Sequence, residues 1–266
     1  MILRGKYRVD GILSTDTHYG LVWKGSLLSD PTVKVAVKMV FLLPVAEKPS
    51  GNGKFINAQL AARVRKDIVF DPTKPLTYHP LPRHPLLRKF GISRSKLAQR
   101  RWMRVKDFKR EVTSMRQLAA LSLAPAVFGS WIERPATRIP RGKKVQKDRP
   151  SGFLVGFVVN QLCDLNCKQA IRTWPDVELL KSAMLGAIYN LHEAGFTHGD
   201  CKPSNIGLLL KNGEAGAAER EVKCLFLDCQ KVRRHVDRLS PSFLEAVRHD
   251  IGTLEKHLLT NVGETK

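Results

Sequence analysis

Residues 198–205 read His-Gly-Asp-Cys-Lys-Pro-Ser-Asn and lead straight into the apolar run Ile206 to Leu210. An acid, a cation and an amide thus stand at fixed offsets on one polar loop. Transfer of a phosphoryl group from a nucleoside triphosphate needs that set. An acid accepts or orients the proton of the attacking hydroxyl, a cation neutralises charge on the migrating phosphate, and an amide oxygen holds a magnesium ion that bridges phosphates. Asp200, Lys202 and Asn205 take those roles in that order.

Such a loop needs a scaffold on both sides, and the chain has the patterns for one. Residues 7–13, 21–27 and 33–41 read as three strands of a small antiparallel sheet. In residues 105–120 Val105, Phe108, Val112, Met115, Leu118 and Ala119 recur at helical spacing. Strands over 123–133 and 152–159 follow, separated by a basic loop at 138–150. A second helix, 177–194, carries Leu180, Met184, Ala187, Ile188 and Leu191 on one face and ends at Gly195, a C-cap residue. Two strands, 206–210 and 222–227, and a last helix, 243–259, complete the order. The class is α+β: sheet, helix and sheet first, then helices with one small hairpin. Residues 44–101 interrupt the pattern with Gly51-Asn52-Gly53 and five prolines from Pro72 to Pro85, and read as an insertion with a short helix near 59–66.

Bulk properties narrow the partners. A chain of 266 residues with 43% hydrophobic residues makes one large domain or two small lobes with a packed core. The net charge of +21 points to anionic partners: nucleic acid, an anionic membrane surface or phosphorylated substrates. The charge is concentrated, since no Asp or Glu occurs between Pro72 and Lys106 while ten lysines and arginines do. There is no apolar run of eighteen residues to span a bilayer and no apolar leader at the N-terminus. The five cysteines form no C-x-x-C pair and no His cluster joins them, which argues against zinc; Cys224 and Cys229 read as small buried hydrophobes. A reducing, cytoplasmic compartment fits, with peripheral association at the inner face of a membrane allowed by the charge.

The 198–205 loop resembles the catalytic loop of the protein-kinase-like superfamily, H-R-D-x-K-x-x-N. Its Gly199 in place of the arginine resembles atypical members: the bacterial lipopolysaccharide-core (Kdo/heptose) kinases and, more distantly, the RIO and Bud32-type kinases. The resemblance is concentrated in residues 177–259, where a strand ending in Asp228, a short basic run and the closing Arg248-His249-Asp250-Ile251-Gly252-Thr253-Leu254 recur. It implies a two-lobed kinase-like fold, with an N-lobe of residues 1–159 holding the basic insertion 44–104, and a reduced, mainly helical C-lobe of residues 160–266. It implies ATP and Mg2+ as cofactors.

The resemblance also implies roles. Lys38, closing Val35-Ala36-Val37-Lys38, matches the strand lysine that contacts the α and β phosphates, and Glu111 the helix carboxylate that holds it. Gly20 and Val22, in Gly20-Leu21-Val22, match the end of a glycine-rich loop, though Thr15 and Thr17 stand where its first glycines would be. Asn160, Gln161 and Leu162 match the hinge whose backbone meets adenine, with Val159 at the back of the pocket. Asp228 matches the D-F-G aspartate, a magnesium ligand beside Asn205, but Cys229-Gln230 replace Phe and Gly. His198 reads as a structural residue of the loop, and Asp250 as the helix aspartate that braces its backbone. No A-P-E segment separates Asp228 from Asp250. The acceptor is a Ser or Thr of a protein, or a sugar hydroxyl of a lipopolysaccharide-type glycolipid. The alternative is a pseudokinase-like module that uses its basic surface to bind nucleic acid, a membrane or an acidic protein. Lys38, Glu111, Asp200, Asn205 and Asp228 together favour the enzyme.

Overall fold

The structure, a computed structural model, describes residues 1–15, 17, 20–43, 84–92, 103–133, 154–211 and 221–262. The expected helix near 59–66, the basic loop 138–150 and most of the basic insertion lie outside the described residues. The architecture is α+β, as the pattern predicts. Its residues fall into two compact units: 1–108 with 128–159, and 109–127 with 160–266.

The first unit is built on a sheet of β1 (Ile2–Leu3), β2 (Tyr7–Ser14), β3 (Gly20–Leu27) and β4 (Lys34–Leu43), continued by β7 (Leu154–Gln161) and β6 (Val127–Glu133). The first four strands pair antiparallel, while the short β5 (Met103–Arg104) adds to β4 in parallel. Alternation decides which side chains meet the core. Leu21 and Trp23 of β3, Val35, Val37, Met39 and Phe41 of β4, and Val155, Phe157 and Val159 of β7 form one buried cluster. The intervening residues therefore take the opposite face: Val22, Ala36, Lys38, Val158 and Asn160. This corrects one expectation. Val159 belongs to the core side of the sheet, so it cannot also line the Lys38 side.

Residues 84–92, expected to be part of the insertion, pack into this core. Helix α1 (Pro85–Lys89) buries Leu86 and Leu87, and His84 Nε2 lies 2.8 Å from Glu133 Oε1. Two glycines of β3 are there for close backbone approach. A Cβ on Gly20 would overlap the carbonyl oxygen of Met39, and one on Gly25 that of Arg8. Both replacements by alanine are expected to cost about 2–3 kcal/mol, as overpacking against backbone does. The midpoint should fall by roughly 5–10 °C. A thermal melt of Gly20→Ala and Gly25→Ala checks this; unchanged midpoints would refute the packing role.

Helix α2 (Val105–Ala120) starts in the first unit, and its residues in the second place Val112, Met115 and Leu118 on the buried stripe. Strand begins at Val127 rather than at 123, because Leu123 N–H bonds back to Leu118 O at 2.8 Å and closes the helix in a turn through Ser122 at φ 58°. Helix α3 (Cys167–Thr173) follows the short β8 (Leu165–Asn166) and is capped by Asn166. Helix α4 (Val177–Glu193) starts at Asp176, whose Oδ1 accepts from Leu179 N–H at 2.9 Å. It buries Leu180, Met184, Ala187, Ile188 and Leu191 as the spacing predicts, and Gly195 follows at φ 79°. Strand β9 (Phe196–Thr197) leads into the 198–205 loop. Beyond it come the hairpin β10 (Ile206–Lys211) and β11 (Glu221–Phe226), the short β12 (Arg233–Arg234) paired with β9, and helix α5 (Pro241–Val262). Among the described residues, no helix is long and apolar enough to cross a membrane.

Candidate active site

The 198–205 loop is held from both ends. Before it, β9 pairs with β12. At its far end a 3-10 turn, Pro203–Asn205, begins where Lys202 is extended (φ −137°, ψ 155°), the backbone that a following proline demands. Asn205 N–H closes that turn onto Lys202 O at 2.9 Å.

Within this frame Asp200 and Asn205 face one another. Asn205 Nδ2 donates to the Asp200 carbonyl at 2.9 Å and to Asp200 Oδ2 at 3.0 Å. That spends the amide nitrogen and leaves the amide oxygen as the side chain's acceptor for something else. Lys202 Nζ sits 3.1 Å from Asp200 Oδ2, and Lys231 Nζ 3.9 Å from Asp200 Oδ1. Burial alone would raise the Asp200 carboxyl. The hydrogen bond and charge of Lys202, the charge of Lys231 and the Asn205 amide outweigh it and hold the group below the ordinary carboxylate value. Asp200 is therefore ionised at neutral pH.

Asp228 reaches the same place through the hairpin register. Ile206 pairs with Phe226, and the next link is Leu227 N–H to Asn205 O at 2.8 Å. Asn205, just before β10, and Asp228, just after β11, thus flank the open end of the hairpin. The Asp228 carboxylate also accepts Gln230 N–H at 3.2 Å, which turns the chain away from the strand.

A second carboxylate organises the loop from below. Asp250 lies on the buried stripe of α5 with Phe243, Leu254 and Leu258, and is itself fully buried. Its Oδ2 accepts His198 N–H at 2.7 Å and its Oδ1 accepts Gly199 N–H at 2.7 Å. His192 Nε2 of α4 lies 3.2 Å from Oδ2. Burial would raise this carboxyl too, but the His192 bond and the two backbone donors hold it below the ordinary value. This is the bracing geometry expected of Asp250. His192 is the partner that the sequence reading missed. Gly199 sits at φ 73°, a backbone that L side chains rarely adopt, and a Cβ there would come 3.2 Å from Lys231 Cβ and O. An arginine at this position would meet both obstacles.

His198 is buried, packs on Phe226 with ring centroids 5.0 Å apart, and accepts Asp200 N–H on Nδ1 at 3.3 Å. Burial pushes its imidazole below the ordinary value despite the surrounding carboxylates. It is a structural support of the loop. Cys201, Cys224 and Cys229 are buried, and burial raises the Cys201 thiol well above the usual range.

The remaining expected residues divide between the units. Glu111 is fully buried on α2, a carboxylate on a stripe that is otherwise apolar except for Ser114. Leu162 follows β7, and Asn160, near the end of that strand, is 8% exposed with a buried Oδ1 that has no hydrogen-bond partner among the described residues. In the first unit, Lys38 pairs with Val22 in the β3–β4 ladder. Gly20 N–H bonds to Thr17 Oγ1 at 3.1 Å, and that hydroxyl donates to Gly20 O at 2.5 Å, so these groups satisfy each other within the turn.

No protein-family model and no curated protein matches this sequence. Solved structures do. A Rio2 kinase–ADP/Mg2+–phosphoaspartate complex from Chaetomium thermophilum is similar at 10% identity with a TM-score of 0.49, covering 97% of this chain and 58% of that one. A second structure, of the Rio2 kinase from the same organism, matches at 11% identity and a TM-score of 0.48, covering 94% and 57%. The chain thus spans less than three-fifths of the length of these solved structures.

Proposed function

We propose that this chain is an ATP- and magnesium-dependent phosphotransferase that moves the γ-phosphate to an alcohol. The supporting observation is the Asp200 constellation: an ionised carboxylate fixed by Lys202 and Asn205, on a loop braced by Asp250, with Asp228 beside Asn205. The residues fit the implied groups. Asn205 Oδ1 and the Asp228 carboxylate are hard oxygen donors at the open end of one hairpin. Magnesium typically takes one or two such protein ligands and completes its shell with water and phosphate oxygens. The orphaned, buried Asn160 Oδ1 is an acceptor suited to the 6-amino group of adenine. Bound magnesium would neutralise charge on the phosphates.

The rest of the chemistry belongs to the chain. Asp200 accepts the proton of the acceptor hydroxyl as its oxygen bonds to the γ-phosphorus. The bond from that phosphorus to the β–γ bridging oxygen breaks, with its electrons leaving on ADP. Lys202 offsets charge on the phosphate in transit. Lys38 is assigned to the α and β phosphates, and Glu111 is the carboxylate assigned to hold such a lysine. Gly20 and Val22 are assigned to the end of the phosphate-facing turn, and Leu162, with Asn160, to the hinge whose backbone meets adenine. The acceptor is a Ser or Thr side chain or a sugar hydroxyl.

Incubation with γ-labelled ATP and Mg2+ tests the reading. Wild type should transfer label, to an acceptor or to water, and Lys38→Met and Asp228→Asn should each reduce transfer at least a hundredfold. Equal label release in all three proteins would overturn it, and would leave a binding module.

A further inference from the structure

Transfer at Asp200 calls for one cation beside the carboxylate, and Lys202 supplies it. A second is present. Lys231 Nζ stands 3.9 Å from the other carboxylate oxygen, Oδ1. Its backbone is fixed: Val232 is buried, Val232 N–H bonds to Cys229 O at 3.3 Å, Arg233 pairs with Thr197, and the Lys231 carbonyl lies against Gly199. Its side chain remains 62% exposed. Arg233, two residues on and beyond the buried Val232, is exposed as well. Between residues 229 and 240 the sole acid is Asp237, whose carboxylate accepts Leu239 N–H at 2.8 Å. An exposed lysine–carboxylate pair adds at most about 1 kcal/mol to stability. Fold stability therefore does not account for a rigidly based second cation on the side of Asp200 away from the oxygen that Lys202 holds.

We infer that Lys231 and Arg233 form an anion subsite on the acceptor side of Asp200, and that the molecule presenting its hydroxyl carries a phosphate monoester near that hydroxyl. The inference rests on the phosphotransferase reading. A phosphomonoester bears close to two negative charges at neutral pH. Brought next to Asp200 and a γ-phosphate, it would be repelled; two cations from one anchored segment offset that repulsion, the arginine with a fork that matches phosphate oxygens. Lys202 is left to the migrating group.

Two probes with the same phosphomonoester separate its sources. Glycerol 3-phosphate is titrated into the full chain with Mg2+ and ADP present, and phosphatidylcholine vesicles with and without phosphatidic acid are titrated in parallel. At least one probe should bind, and Lys231→Met and Arg233→Met should each weaken that binding tenfold or more. Lys6→Met, an exposed lysine outside this segment, should change it less than twofold. Binding of glycerol 3-phosphate points to a free acceptor; binding confined to phosphatidic acid vesicles points to a lipid headgroup. Binding of neither probe, binding indifferent to Lys231 and Arg233, or equal weakening by Lys6→Met would overturn the subsite. Mg2+–ADP binding in the same samples keeps the two readings apart: its absence sinks the phosphotransferase, and its presence without Lys231-dependent phosphate binding sinks the subsite alone.

Discussion

Asp200→Asn is expected to keep magnesium–nucleotide affinity within about threefold of wild type and to lose γ-phosphate transfer by two to four orders of magnitude, the range for removing a positioned general base. The substitution is close to isosteric, so Asn205 Nδ2 retains the Asp200 carbonyl as an acceptor at 2.9 Å, and the backbone bonds of Asp250 to His198 and Gly199 are untouched. What disappears is the group that can take a proton, together with the negative charge that Lys202 and Lys231 hold at 3.1 and 3.9 Å. The loss should fall in kcat, because the deleted interaction acts on the hydroxyl in the transition state rather than on bound nucleotide. Single-turnover transfer and ADP titration, run on both proteins, measure the two quantities separately. Retained turnover would remove Asp200 from the chemistry; loss of nucleotide binding would place it in the nucleotide site instead.

The core of this site was readable because it is local. Asp200, Lys202 and Asn205 lie within six consecutive residues, and Asp228 follows an apolar strand where a surface charge would be out of place. The helices were readable for the same reason: the apolar stripes of α2 and α4 are periodic, and Asp176 and Gly195 bound α4 at its two ends. The rest depends on contacts distant in sequence. Nothing local to Lys231 says that a two-residue strand, Arg233–Arg234, will pair with Phe196–Thr197 and bring it to Asp200. His192 reads as the polar end of a helix, and its partner Asp250 is 58 residues away. Residues 84–92 follow a proline-rich stretch with no periodicity long enough to score, yet Leu86 and Leu87 are core. The sheet face of Val159 was open to misreading because a continuous apolar strand carries no alternation. Only the partners of Val155 and Phe157 fix its side.

Asp250→Ala should produce the largest loss of stability of any single change in this unit, about 3–5 kcal/mol. Removing one partner from a buried charged network costs the desolvation of everything left behind. Here that is two backbone donors, His198 N–H and Gly199 N–H, and the His192 imidazole, all buried or nearly so around a carboxylate with no exposed surface. The pH dependence has a definite sign. The folded-state carboxyl lies below its ordinary value of 3.8. Its contribution is therefore fully present above the unfolded value and is lost as pH falls from there through the lower, folded one. Wild type should lose stability on acidification below about pH 4, and Asp250→Asn, which cannot titrate, should show a shallower slope across the same range. Denaturant melts of the two proteins from pH 6 to pH 2.5 provide the comparison. The argument reaches activity as well, because the same two bonds hold the peptide that carries Asp200. A variant that melts early should also transfer phosphate poorly at temperatures where it is still folded. If Asp250→Ala melts within 1 kcal/mol of wild type, or if the acid slope of Asp250→Asn matches wild type, Asp250 is not what holds the loop.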